Sequence, residues 1–132
     1  MRLAVALGTL LAAACATRAV PVAAGLDEPF RVSVGGRAVL DGGRLAVDFR
    51  GVPADSRCPT DVLCVRAGEA TVALRLSGPG LAPADLELLT VPGRDSGEFG
   101  GYRVELLGLS PEPTSAGVPP DAYVAVLRVR RG

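Results

Sequence analysis

The sequence predicts an all-β protein, an antiparallel β-sandwich of about seven strands with immunoglobulin-like layering, a small β-barrel being the alternative. Two observations carry this. From Phe30 onward apolar residues recur at alternate positions in short runs, the period of half-buried strands. Between the runs stand pairs and triplets rich in Gly and Pro, which end strands and start turns.

The first run alternates Phe30, Val32 and Val34 with Arg31 and Ser33, and stops at Gly35-Gly36. Leu45, Val47 and Phe49 form the second, after Asp41-Gly42-Gly43. Ala70, Val72, Leu74 and Leu76 form the third, closed by Gly78-Pro79-Gly80. Ala82–Leu89 has Pro83 where a helix would tolerate it, but the stretch is short and Leu86-Glu87-Leu88 continues as a strand. Gly93–Gly101 reads as a solvated hairpin connection. It lacks the Lys-Ser/Thr ending of a phosphate loop, and its Asp95 and Glu98 match no calcium-loop spacing. Tyr102, Val104 and Leu106 form the next run, and Pro111–Pro120 a stiff connection. Tyr123, Ala125, Leu127 and Val129 complete the set.

The amino-terminal part is of another kind. Arg2 precedes an apolar run, Leu3–Ala14, that suits a secretory signal and is shorter than the roughly 20 residues a membrane span needs. It ends in Leu11-Ala12-Ala13-Ala14-Cys15, which resembles the lipobox of bacterial lipoproteins, with Ala12 where leucine is usual. That resemblance implies cleavage before Cys15, a lipid on its thiol, and a membrane as partner. Ala16 in place of an aspartate favours an outer membrane, or the cell surface where there is none. An ordinary secretory signal cut after Ala14 is the alternative. The division is residues 1–14 as lipoprotein signal peptide, 15–29 as tether and 30–132 as the sandwich, one domain by size.

Composition narrows the function classes. The net charge is zero, which gives no field to attract nucleic acid. Every cation is arginine, spread evenly along the chain, and there is no histidine. Without histidine the commonest general base and the commonest zinc ligand are missing. The sequence therefore predicts neither catalysis nor a cofactor.

Three cysteines in an exported chain leave one odd thiol, and lipid on Cys15 would leave Cys58 and Cys64 as a disulfide pair. Two cysteines with no histidine cannot complete a four-ligand zinc site, and the spacing is not that of a C-x-x-C redox pair. Around them runs the densest segment, Asp55-Ser56-Arg57-Cys58-Pro59, then Cys64-Val65-Arg66-Ala67-Gly68-Glu69-Ala70. With Tyr102-Arg103-Val104-Glu105-Leu106 further on, it resembles a pattern in uncharacterised bacterial exported and lipoprotein-like proteins. Those typically have tryptophan where this chain has Arg66. The resemblance implies export and a β-fold but brings no activity.

The charged residues here have two readings. Arg57 with Glu69, or Asp55 with Arg66, would pair and pin the loop to the strand that starts at Ala70. Alternatively Arg57 is a recognition residue beside a rigid loop, an arrangement that resembles protease-inhibitor loops without matching the reactive site of any. The expected function is thus a non-catalytic, membrane-anchored envelope lipoprotein acting as a binding or interaction module for an envelope protein or small ligand. The alternatives are a secreted ligand-binding or inhibitor domain presenting the Cys58–Cys64 loop and, further off, a thiol-redox protein.

Overall fold

A computed structural model describes residues 20–132. The signal segment, Cys15 and the start of the expected tether lie outside the described residues. Nine strands follow in order: β1 Val22–Ala24, β2 Phe30–Ser33, β3 Arg37–Leu40, β4 Leu45–Asp55, β5 Ala70–Gly78, β6 Leu81–Leu89, β7 Ser96–Phe99, β8 Tyr102–Ser110 and β9 Val124–Arg131. A single 3-10 turn, Asp41–Gly43, joins β3 to β4. One sheet has the order β1-β3-β4-β5-β6 and the other β2-β9-β8-β7. Neither closes into a barrel, so the fold is the expected sandwich.

Alternation builds it. In β5 Ala70, Val72, Leu74 and Leu76 are buried while the residues between them are half-exposed. Phe49, Leu45 and Val47 of β4 meet Val104, Leu127 and Val129 of the opposite sheet in one core. Each such side chain contributes roughly 1.5–3 kcal/mol of burial.

Three short strands exceed the expected set, and each is short or weakly apolar. β3 and β7 have four residues, and β7 reads Ser-Gly-Glu-Phe, within the stretch expected to be a hairpin connection. Gly97 is needed there, because a β-carbon would come within 2.6 Å of the Leu86 side chain. β1 lies within residues 15–29, where Val22–Ala24 pairs in parallel with Ala38–Leu40. Backbone pairing holds this strand, since its side chains are mostly exposed. Connectivity also departs from the immunoglobulin order, in which neighbouring strands of a sheet are often distant in sequence. Here β3 to β6 and β7 to β9 are plain meanders.

Two irregularities shape one end. In β4 the register shifts on either side of Gly51, and Pro53, which has no N–H for the ladder, sits in the distorted stretch. In β8 a shift between Leu106 and Gly108 leaves Leu107 exposed and turns Leu109 inward. Both lie toward the end where β4 finishes and β8 hands over to the Pro111–Ala122 connection. We call it the upper end. The Asp41–Gly43 turn and the carboxyl terminus lie at the lower one.

Candidate functional site

Beyond β4 the chain makes the loop that bears the two cysteines. Cys58 and Cys64 are bonded to each other, with Cα atoms 5.8 Å apart. The loop's stem is a short backbone ladder: Ser56 N–H donates to Glu69 O at 2.7 Å, and Cys58 N–H to Ala67 O at 2.8 Å. The Ser56 hydroxyl donates to the same Glu69 carbonyl and accepts from Glu69 N–H. Gly68 makes the approach possible. Its φ is +66°, and a β-carbon there would collide with the Ser56 carbonyl oxygen.

The ion pair differs from both expected pairings. Arg57 grips Asp55, two residues away, through Nε to Oδ1 at 2.9 Å and Nη2 to Oδ2 at 2.8 Å. The fork geometry makes this a bidentate, charge-assisted pair. Among the described residues neither Glu69 nor Arg66 has an opposite charge within 4.0 Å; Glu69 pins the loop through its backbone instead. The reason is steric economy: the residue between Asp55 and Arg57 faces Glu69, which leaves both charged side chains on the other face, turned toward β8 and β9.

There the pair crosses to the second sheet. Arg57 Nη1 donates to Leu109 O and Nη2 to Pro111 O, both at 2.9 Å. Tyr123 donates its hydroxyl to Asp55 Oδ2 at 2.9 Å. The side chains of Arg57 and Asp55 are only 14% and 11% exposed. Hydrogen bonds from Arg57 hold the Asp55 carboxyl below its ordinary range, against the opposing effect of burial. Burial, then the bond to Asp55, raises the Tyr123 hydroxyl. With four of its five N–H groups bonded inside the protein, Arg57 staples one sheet to the other.

The lower end repeats the device. Tyr102 donates to Asp41 Oδ2 at 2.6 Å, and Arg131 Nη2 lies 3.1 Å from the same oxygen. The Tyr102 bond lowers the Asp41 carboxyl. Each end of the sandwich thus has a Tyr-Asp-Arg junction joining one sheet to the other. Neither tyrosine has a sequence signal beyond opening an alternating run.

Further contacts fix the disulfide loop on the Pro111–Ala122 connection. Thr60 N–H donates to Pro113 O at 2.9 Å. Asp61 accepts from the backbone and hydroxyl of Ser115, which lowers its carboxyl. Beside the loop lies an open cleft of about 520 Å³ with Gly68 and Thr90 on one side and Leu107 and Glu112 on the other. No group of three His, Cys, Asp or Glu suited to a metal ion occurs among the described residues. The tip itself is apolar: Leu63 and Val65 are fully exposed and Val62 is 45% exposed.

Fold and site together define an open two-sheet β-sandwich, one end of which is closed by a disulfide loop and a half-buried arginine. No protein-family model, curated protein or solved structure matches the chain.

Proposed function

We propose that this chain is a non-catalytic envelope lipoprotein, held at a membrane by lipid on Cys15, whose upper end is an interaction surface. The observation that carries the reading is the Cys58–Cys64 bond. Of three cysteines it leaves Cys15 as the one without a thiol partner in the chain, at the close of an apolar export segment. An outer-membrane location is part of this proposal and rests on Ala16.

The likeness to uncharacterised exported proteins supports the same reading. Asp55, Ser56, Arg57, Cys58 and Gly68 of the shared pattern all have structural work at the loop's stem. The pattern is thus accounted for by folding and need not mark a reaction centre. What remains free for a partner is the loop's apolar tip.

Mass spectrometry of the mature chain from its own membranes tests the tether. The expected amino terminus is a diacylglyceryl cysteine at position 15, and Cys15→Ser should release the protein to the soluble fraction. An unmodified Cys15, or a start downstream of it, would leave a secreted domain presenting the same loop.

A further inference from the structure

We infer that the Cys58–Cys64 loop is a second membrane contact, with Leu63 and Val65 entering the lipid interface. The inference rests on the tether proposed above and names the partner of the loop. Six large apolar residues are exposed among the described ones: Val20, Val22, Val62, Leu63, Val65 and Leu107. Half of them fall within four positions of this one loop. Its bonded cysteines and its contacts with Pro113 and Ser115 hold the tip in place before it meets anything. A preformed tip binds with little ordering cost.

Strand directions say which way the tip points. β1 is parallel to β3 and therefore antiparallel to β4. The chain thus enters β1 from the end toward which β4 runs, and β4 finishes at Asp55, just before the loop. Val22 is level with Ala38, Val47 and Leu76 across the sheet. Ala70, six residues up β5 from Leu76, is about 20 Å higher at strand spacing. The seven steps from Cys15 to Val22 span at most about 25 Å when extended. A lipid on Cys15 therefore holds the upper end toward the bilayer, and the height of the loop nearly matches the reach of the tether.

The chemistry of the tip fits an interface. Arg66 follows Val65, is exposed, and pairs with no carboxylate among the described residues. Its long side chain can lie along the apolar tip and carry the guanidinium to lipid phosphates. Three side chains cover far less than the roughly 800 Å² per partner of a stable protein interface. Such a contact is too small to stand alone but suffices where a tether keeps it at high local concentration.

The chain has no tryptophan, so Leu63→Trp introduces a single probe. The full lipidated chain carrying it is reconstituted into phosphatidylethanolamine–phosphatidylglycerol vesicles, with Ala82→Trp at the lower end as the reference. Emission from position 63 should shift to the blue and be quenched by brominated lipids, while position 82 stays at the emission of water-exposed indole. With Cys15 shown by mass to be lipidated, an unshifted, unquenched signal at position 63 overturns the inference and leaves the tether standing. A blue shift in native membranes without quenching by brominated lipid points to a protein partner and also overturns it. A bare Cys15 removes the tether, and the inference with it.

Discussion

Tyr123 donates a hydrogen bond to Asp55 Oδ2, the oxygen that also accepts from Arg57 Nη2, although Tyr123 is 68 residues from Asp55 in sequence. The three groups join the end of β4 to the start of β9, with the Leu109 and Pro111 carbonyls as further acceptors. A largely buried pair of this kind becomes costly when one partner is lost, because the other charge stays behind.

Arg57→Ala should therefore destabilise the protein by about 3 kcal/mol, lowering the melting temperature on the order of 10–15 °C. Arg57→Lys keeps the charge but not the fork, and should cost roughly 2 kcal/mol. Tyr123→Phe removes one hydrogen bond and should cost about 1 kcal/mol. Urea titrations measure all three; an unchanged midpoint for Arg57→Ala would mean the staple contributes nothing.

Acid should act through the same carboxylate. The folded protein holds Asp55 below its ordinary value, chiefly through the bonds from Arg57. The stability this supplies is complete above the unfolded value near 4 and is lost as pH falls through the folded one. Asp41, Asp61 and Glu105 are lowered too, by bonds from Tyr102, Ser115 and Arg128 respectively, so they add to the same limb. Asp55→Asn should start less stable at neutral pH and fall less steeply below pH ~4. Parallel curves for the two proteins between pH ~5 and ~2 would count against this account.

At Gly68 an alanine meets both a left-handed backbone and the Ser56 carbonyl, so Gly68→Ala should cost roughly 3 kcal/mol or more. Gly43, with φ +90° and open space where a β-carbon would stand, is the comparison. There alanine meets strain alone, and about 1 kcal/mol is expected. Equal losses at both sites would show that the close approach at Ser56 is of no consequence.

Replacing Cys58 and Cys64 together by serine frees a loop of only a few residues, for which about 2 kcal/mol of lost stability is expected. Adding reductant to the unaltered protein should give the same shift of the urea midpoint, and no further shift in the double variant.

How far this structure is legible in the sequence follows from the range of the interactions. β4, β5, β8 and β9 carry alternating runs in strands of eight residues or more, and β2 a short but strict one, and each is legible because the period is local. β1 reads as tether because Val22–Ala24 shows no alternation and is held chiefly by its parallel partner, with Ala24 alone packed on the core. The disulfide is legible from the number of cysteines. The ion pair is not: the sequence suggests Arg57 with Glu69 across the loop, while the fold turns Arg57 toward carbonyls 52 and 54 residues away. Leu109 supplies one of those only because a bulge at Leu107 resets the facing of β8, and such a reset leaves no periodic trace.

The small parallel ladder between β1 and β3 bears on mechanics. A pull on the amino end directed past the upper end runs along β1 rather than across it. The bonds of Val22–Ala24 to Ala38–Leu40 are then loaded in shear, together, instead of peeling in succession. Three paired residues placed this way act as a strain relief between an anchor and the core. Single-molecule pulling from the amino end should accordingly meet its first resistance at this ladder, before either sheet opens.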